Sequence, residues 1–437
     1  MQHILKGGAA GWEHPSNLTN PGHSAALARN RLTAYLCLPT NPTPTMATPT
    51  ASDGRAQLPP IQPIQMVDLR TQYEQMQEEV DRAVLEVVRS GAFINGPAVK
   101  QFQAGLEQYL RCAHVIPCAN GTDALQIALM ALNLEPGDEV IVPAFTYVAS
   151  AEVIALLGLS PVMVDVDPFT FNVTAEQIEP AITERTRAII PVHLFGQCCD
   201  MEPINALAER HGLHVVEDNA QAIGAEYTFS DGRTARTGTL GDIGCTSFYP
   251  SKNLGAYGDG GAINTDSNEL AARLRMVANH GQRRQYYHDV VGCNSRLDSI
   301  QAAILNCKLG RLDGYNTRRQ AAAAYYDDCL GGIEGLLTPA RSPLSTHVYH
   351  QYTLRIADER REALQEHLRA AGIPSMIYYP VPLYNQEAFR GTAANAVDFL
   401  PVTDTLCKEV LSLPMHSELA EDTLDHICGS VRAFFGR

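Results

Sequence analysis

Apolar residues repeat at two different spacings along this chain from about Met66 onward. In the stretch 76–88 the apolar positions 76, 80, 83, 84, 87 and 88 follow one face of a helix, and Gly91 with the turn 95–97 ends it. Further helices are predicted across 124–132, up to about 157, and across 204–211. Short apolar runs predict strands at 114–118, 139–143, 161–166, 188–194 and 214–217. Strands that alternate with helices indicate βαβ units and an α/β fold with a mainly parallel sheet.

The character of the chain changes toward both ends. Residues 1–65 contain nine of the 26 prolines, only two acidic residues and no sustained periodicity, which predicts a disordered N-terminal tail. From about Leu309 the pattern changes to longer helices and isolated strands, at 351–356 and 376–379. We therefore predict a large domain over 66–310 and a smaller C-terminal α+β domain over 311–437.

Net charge and composition exclude several classes of function. A net charge of −15 argues against a nucleic-acid-binding surface, which needs basic patches. The chain has no apolar run of the ~18 residues that a membrane-spanning helix requires, so no membrane association is expected. The eleven cysteines are scattered without a metal-ligand spacing, which favours a reduced, cytoplasmic compartment and no metal site.

Lysine is scarce, and one lysine stands in an unusual place. The five lysines are Lys6, Lys100, Lys252, Lys308 and Lys408. Four of them lie in the tail or in segments with the pattern of surface helices. Lys252 instead lies between an apolar strand and the glycine-rich run 258–261, where glycines allow a close approach to a bound ring. A surface role is the ordinary expectation for a lysine, but this position favours an amine that reaches a buried carbonyl, such as that of pyridoxal phosphate.

Three further groups follow predicted strands, and ligands of open α/β sheets bind at the carboxyl ends of strands. The turn 120–123 opens a helix and presents backbone N–H groups to an anion, although its residues also suit an ordinary N-cap. Asp218 could hold a pyridine nitrogen protonated, with Gln221 near a ring hydroxyl, although a capped helix start is the better explanation of these residues when they are taken alone. Tyr147 could stack on a planar ring, although aromatic residues after strands more often belong to the core.

The joint order of phosphate turn, aromatic residue, acid and lysine matches pyridoxal phosphate enzymes of fold type I. From Met66 to the C-terminus, about 370 residues, the chain resembles the DegT/StrS family of nucleotide-sugar aminotransferases. The resemblance rests on the sequence stretches at 119–125, 143–149, 217–221, 247–255 and 294–298.

The resemblance implies a fold and a set of roles. The fold is that of fold type I, with a mainly parallel seven-stranded sheet flanked by helices. Lys252 would form a Schiff base with pyridoxal phosphate, and Asp218 would hold the pyridine nitrogen. The remaining cofactor contacts would be Gly121, Thr122 and Ser247 at the phosphate, Tyr147 on the ring and Gln221 at the ring hydroxyl. Asn294 would reach the cofactor phosphate of a neighbouring subunit, which implies a homodimer with shared sites and glutamate as the amino donor.

Within the family, the chain most resembles enzymes that aminate a UDP-linked 3-keto-N-acetylglucosaminuronate. The similar segments are 280–282, Tyr287 with His288, and 292–296. Arg296 is a natural bidentate partner for the sugar carboxylate, with a surface ion pair as the alternative. The resemblance also implies that Tyr378 and Tyr379 face the sugar. Tyr378 replaces a histidine there and cannot carry its positive charge, which leaves other nucleotide keto-sugars open.

Three other classes of function are alternatives for this sequence. Some family members have histidine in place of the lysine and are sugar dehydratases, so Lys252 favours transamination. A non-catalytic regulator with the same fold is a second alternative, and the intact lysine, acid and phosphate turn argue against it. A Rossmann dehydrogenase is excluded because the glycine run 258–261 precedes a strand-like segment rather than a helix.

Overall fold

The computed structural model describes residues 63–390 and 399–437. The tail predicted over 1–65 therefore lies outside the described residues, except for 63–65, which have no regular secondary structure. The described residues fall within one compact unit, Ile61–Arg437. The predicted boundary between a large and a small domain near residue 310 stays a prediction.

The described residues begin with three helices, alternate strictly between strands and helices from residue 114 to residue 218, and then combine short strands with helices up to the end of the chain. The helices are α1 Leu69–Glu74, α2 Gln77–Ser90, α3 Pro97–Leu110, α4 Gly121–Ala131, α5 Ala149–Leu156, α6 Ala175–Ile178, α7 Met201–His211, α8 Asn268–Val277, α9 Ser299–Leu309, α10 Leu312–Leu330, α11 Arg361–Ala370, α12 Pro401–Glu409 and α13 Glu421–Phe434. The strands are β1 His114–Cys118, β2 Glu139–Pro143, β3 Ser160–Val164, β4 Thr186–Ile189, β5 His214–Asp218, β6 Glu226–Thr228, β7 Thr234–Arg236, β8 Ile243–Ser247, β9 Gly261–Thr265, β10 Gln282–Arg284, β11 Tyr287–His288, β12 Leu336–Leu337, β13 Tyr352–Ile356 and β14 Val410–Leu413.

The central sheet has seven strands in the order β1-β9-β8-β5-β4-β2-β3. β8, β5, β4, β2 and β3 pair in parallel, whereas β9 runs antiparallel to both of its neighbours. β1 therefore points the same way as the parallel strands, and one strand in seven is reversed. The mainly parallel seven-stranded sheet of the α/β prediction is confirmed. The carboxyl ends of β1, β2, β5 and β8 lie along the same edge.

Local sequence explains where several elements begin and end. Gly91 ends α2 in the left-handed conformation, φ 68°, and its N–H donates to the carbonyls of Val87 and Val88. Pro97 opens α3 at a position where a helix needs no N–H donor. Two strands of the mainly parallel part, β2 and β8, are buried along their whole length, which explains the continuous apolar run 140–143 in β2.

The two largest hydrophobic cores of the described chain lie in different parts of the fold. The larger core lies between the central sheet and its helices, and it includes Leu383 and Leu406 from the C-terminal part of the chain. A separate core joins α10, α11 and α13 to the small sheet β12-β13-β14, with Tyr326 and Tyr352 fully buried. Within the described residues, no helix is both long and apolar enough to cross a bilayer.

Two predictions from the sequence were wrong. The segment 376–379 is not a strand, because only Met376 pairs with β14, through Ser412, before the chain leaves the sheet. Lys308 is not on a surface helix face: it is 1% exposed. The reason is that α9 packs against both α2 and α3, so that little of its surface remains in contact with solvent.

Candidate active site

The carboxyl ends of β1, β2, β5 and β8 open into one cavity of about 850 Å³. Most of the predicted site residues line this cavity. Nine predicted residues line it: Gly121, Thr122, Tyr147, Asp218, Gln221, Ser247, Lys252, Tyr378 and Tyr379.

The amino end of α4 forms one wall of this cavity. Asn120 caps the helix by accepting a hydrogen bond from the Asp123 N–H at 2.8 Å. The first N–H groups of a helix have no acceptor within it, and the helix dipole favours negative charge there. A Cβ atom on Gly121 would lie 2.7 Å from Ser247 Cβ. Glycine at this position therefore lets the helix end and the Ser247 hydroxyl approach closely enough to hold one anion together.

Asp218 is fixed at the end of β5. It is 6% exposed, its Oδ2 accepts from the Ser150 hydroxyl at 2.7 Å, and its Oδ1 accepts from the Ala220 N–H at 3.1 Å. A carboxylate with several acceptor sites retains capacity for one more donor, such as a protonated ring nitrogen. The position of Ser150, on α5, was not predicted from the sequence.

The residue before Asp218 ties the strand end to its surroundings. Glu217 accepts hydrogen bonds from the backbone N–H groups of Gly238, at 2.8 Å, and Gly241, at 2.7 Å. His193, fully buried, accepts the Cys199 N–H at Nδ1 and so carries its proton on Nε2, which donates to Glu217 at 2.8 Å. This buried network holds the last residues of β5 in place, which fixes the direction of the Asp218 carboxylate.

Lys252 lies on a tight turn after β8. Its backbone N–H donates to the Tyr249 carbonyl at 2.8 Å, and the Asn253 side chain donates to the Val348 carbonyl at 2.8 Å. Removal from solvent lowers the pKa of Lys252 to about 8, and the negative charge of Asp218 opposes that shift. A lysine with this pKa is neutral for a substantial fraction of molecules near pH 8, and only the neutral amine is a nucleophile.

The glycines of this turn pack against protein atoms. A Cβ atom on Gly255 would lie 2.2 Å from the Pro250 carbonyl oxygen, and one on Gly258 would lie 2.9 Å from the Gln301 side chain. The packing of the turn itself therefore requires glycine at position 255, where the neighbouring atom belongs to the backbone, whereas at position 258 the end of the Gln301 side chain can shift. The expected close approach to a bound ring is not needed to explain them.

Gln221 and the aromatic residues form the opposite wall. Gln221 accepts from the Phe195 N–H at 2.7 Å and donates to the Tyr379 hydroxyl at 3.2 Å, which orients its amide and leaves one N–H for a ligand. The rings of Tyr147 and Tyr379 lie 6.3 Å apart between centroids. Burial raises the pKa of Tyr379 and of Tyr378, so both hydroxyls remain protonated near neutral pH.

Four predicted residues do not line the cavity of their own chain. Tyr287 and His288 form the exposed strand β11 of a hairpin, where the Arg284 guanidinium lies 3.6 Å above the centre of the Tyr287 ring. Arg296 donates to the Asn279 side chain at 3.3 Å, and Asn294 is exposed. The expected role of Asn294 toward a neighbouring subunit, and the sugar contacts of the other three, stay predictions.

The cavity also contains residues that sequence reasoning missed. His350 and Gln351 line it from the segment that leads into β13, and Phe195 lines it from the loop after β4. The sequence carried one available signal, two histidines within the short apolar segment 347–352. It could not show that the C-terminal part of the chain folds back onto the strand ends.

The residues present fit pyridoxal phosphate. The α4 amino end with Ser247 suits a phosphate, Asp218 suits the ring nitrogen, Gln221 suits a ring hydroxyl, and Lys252 suits an aldehyde. Fold and cavity together define a pyridoxal phosphate-dependent aminotransferase of fold type I. Residues 74–432 match the DegT/DnrJ/EryC1/StrS aminotransferase family, and the chain belongs to that family.

Individual relatives agree with this assignment. The chain is 47% identical over 374 residues to the pleiotropic regulatory protein of Geobacillus stearothermophilus, covering 85% of this chain and 98% of that protein. It is 46% identical over 368 residues to the UDP-2-acetamido-2-deoxy-3-oxo-D-glucuronate aminotransferase of Pseudomonas aeruginosa, covering 84% and 99%. The crystal structure of DesV from S. venezuelae in complex with a ketimine intermediate superposes with a TM-score of 0.81 at 42% identity, covering 86% and 99%.

Proposed function

We propose that this enzyme transfers an amino group from glutamate to a nucleotide-linked keto-sugar. The observation that carries the proposal is the placement of Lys252, whose amine has a pKa of about 8, in one cavity with Asp218 and the amino end of α4. An amine, an acid and an anion-binding helix end form the minimum set that a pyridoxal phosphate transaminase needs.

Each residue has a defined part in this proposal. Pyridoxal phosphate, when bound, supplies an aldehyde and an electron-withdrawing ring. The α4 amino end and Ser247 would hold its phosphate, and the Asp218 carboxylate would accept a hydrogen bond from its protonated ring nitrogen. Lys252, once its amine is free, removes the α-proton of the amino donor as a general base and returns a proton as a general acid. The pKa of Lys252 near 8 suits both directions of that transfer near neutral pH.

The favoured substrate is a UDP-linked 3-keto-N-acetylglucosaminuronate used in the biosynthesis of a cell-surface polysaccharide such as O-antigen. Support comes from the Pseudomonas aeruginosa relative, which is named for this reaction. Arg296 supplies a guanidinium suited to the sugar carboxylate, and Tyr287 and His288 add donors on the adjacent hairpin. Tyr378 provides a neutral hydroxyl, so a keto-sugar without the carboxylate is the alternative substrate.

We further propose a homodimer whose subunits share their sites. The hairpin of β10 and β11 does not line the cavity of its own chain; its Tyr286 is 81% exposed, and Val291, which follows the hairpin, is 86% exposed. Large apolar side chains exposed to this degree favour a protein contact. In a dimer of this kind Asn294 and Arg296 would reach the partner's cavity. The cysteines of the described residues are free, which supports a reduced, cytoplasmic location.

The test is the half-reaction with glutamate, which is monitored by visible absorbance. Purified enzyme with pyridoxal phosphate should absorb as a lysine-linked cofactor, glutamate should bleach that band, and the Lys252→Ala variant should lack it. The aminated enzyme should then react with the UDP-3-keto-uronate. Wild-type protein that binds no pyridoxal phosphate would contradict the function, whereas equal reaction with sugars lacking the carboxylate would contradict only the substrate.

A regulator is the second candidate, because the relative with 47% identity is named a pleiotropic regulatory protein. A regulator without enzymatic activity should show no bleaching by glutamate. A sugar dehydratase using the same cofactor is separated by product mass, since transamination adds nitrogen and dehydration only removes water.

A further inference from the structure

His350 and Gln351 are polar, buried and without side-chain partners at the cavity. They are 4% and 8% exposed, and both line the cavity together with Lys252. Within the described part of the chain, His350 Nδ1 has no hydrogen-bond partner, and the Gln351 side chain makes no hydrogen bond. Burying polar groups without partners costs free energy, which a bound ligand can offset.

The backbone around this pair is held firmly. Arg319, buried on α10, donates to the carbonyls of Tyr349 and Met415, both at 3.0 Å. The Gln351 N–H donates to the Phe195 carbonyl at 3.3 Å. Burial and the nearby charge of Lys252 lower the pKa of His350, so the imidazole is neutral. The neutral ring carries one N–H, which it can donate to a ligand oxygen in the cavity.

We propose that His350 and Gln351 bind the α-carboxylate of the amino donor, the imidazole N–H to one oxygen and the amide N–H to the other. This inference rests on the proposed function. A carboxylate has two oxygens, and the pair offers two neutral donors on consecutive residues. Lys252 is the one lysine or arginine among the described residues that line the cavity, and it is reserved for the reacting carbon.

The proposed binding positions of the amino donor and of the sugar differ in their exposure to solvent. At the mouth of the cavity Tyr147 and Tyr249 are 57% and 55% exposed, and a bulky nucleotide sugar has to enter between such residues. The deeply buried pair beside Lys252 suits a small group attached directly to the reacting carbon. The two substrates therefore use the same reacting position but different polar residues.

The experiment measures glutamate binding to holoenzyme in His350→Phe, Gln351→Leu and Gln351→Glu variants. The concentration dependence of bleaching gives the Kd for glutamate, and calorimetry with glutarate, which cannot react, gives a second Kd. Each loss should weaken binding about ten- to hundredfold. Gln351→Glu should weaken it most, because a carboxylate repels a carboxylate. The Michaelis constant for the keto-sugar should change less than threefold, roughly the limit of ordinary context effects.

Matched controls are His367→Phe and Gln365→Leu, the same exchanges at two residues of α11 that do not line the cavity. Both should leave glutamate and glutarate binding unchanged. A larger effect of the variants on the keto-sugar than on glutamate would overturn the proposal and assign the pair to the sugar. If wild-type enzyme shows no cofactor absorbance, the proposed function fails. The glutarate comparison then still decides whether this pair binds a carboxylate.

Discussion

Two lysines with the same lowered pKa occupy neighbouring but different environments. Burial lowers the pKa of both Lys252 and Lys308 to about 8. Lys308 is 1% exposed, and its ammonium donates to the Gly255 carbonyl at 2.8 Å and lies 4.3 Å from the centre of the Tyr257 ring. The Lys252 amine has no hydrogen-bond acceptor in the described chain, and Lys252 lines the large cavity. The negative charge of Asp218 raises the pKa of Lys252 against the effect of burial.

The comparison shows that a lowered pKa alone does not define a reactive amine. Access to a cavity and a free amine distinguish Lys252, whereas Lys308 is already bound to the protein. Gly255 lies on the turn that carries Lys252, so Lys308 acts on that turn through its carbonyl. In the proposed function Lys252 is the reacting amine, and Lys308 holds the backbone of the turn that carries it.

The largest expected difference is in the reaction with glutamate. Lys252→Ala should lower the half-reaction rate by about 10²–10⁴-fold or more, the range that an acid–base group contributes, and should abolish the lysine-linked absorbance. Lys308→Met keeps the length of the side chain and should retain that absorbance with less than about tenfold loss. Stopped-flow absorbance measures both rates. Equal losses in the two variants would break the distinction between them.

The second difference is in stability against pH. The pKa of Lys308 is lower in the folded chain than when unfolded, so the penalty for burying its charge is complete below pH 8 and is relieved as pH rises. Relative to Lys308→Met, wild-type protein should therefore gain about 2 kcal/mol of unfolding free energy between pH 7.5 and 9.5. Urea denaturation of both proteins at each pH measures the gain. A wild-type protein that loses stability relative to the variant over this range would contradict it.

The contrast between these lysines also marks what the sequence could predict. Lys252, Asp218 and the turn at Gly121 were found because each directly follows a strand, and parallel strands bring such residues to one edge. Lys308 was placed on the surface because its helix pattern does not reveal that α9 packs between α2 and α3. Its partner, Gly255, is distant in sequence, and no local pattern encodes that contact.

The same limit applies to the cavity wall built from the C-terminal part of the chain. His350 and Gln351 reach the strand ends only because the chain returns across them, which depends on long-range contacts such as Arg319 with Met415. Tyr378 and Tyr379 were predicted, but from family resemblance. Hydrophobic periodicity at 376–379 predicted a strand instead, because short apolar segments have the same pattern in strands and in cavity walls.

A third comparison uses two glycines in helices. Gly121→Ala should weaken pyridoxal phosphate binding about tenfold or more, because the new methyl group would meet Ser247 Cβ at 2.7 Å and widen the anion site. Gly429 lies within α13, where an added Cβ atom would meet no neighbouring part of the described chain within 4 Å. Gly429→Ala should therefore stabilise the chain by about 0.5–1 kcal/mol. Cofactor titration by fluorescence and thermal denaturation separate the two effects. If Gly121→Ala left the affinity for pyridoxal phosphate unchanged, the proposal that the α4 amino end binds the phosphate would be wrong.

The smallest expected effect sharpens the environment of Lys252 itself. The negative charge of Asp218 raises the pKa of Lys252 against the effect of burial, so Asp218→Asn should lower that pKa below about 8. In cofactor-free protein, the rate of reaction with pyridoxal should then reach its midpoint at a lower pH, because the amine is neutral earlier. Asp259→Asn removes a second acid that lines the cavity but does not influence the pKa of Lys252, and it should leave the midpoint unchanged. A midpoint that rises in Asp218→Asn would mean that the carboxylate does not act on Lys252 by its charge. The free amine would then differ from that of Lys308 by access alone.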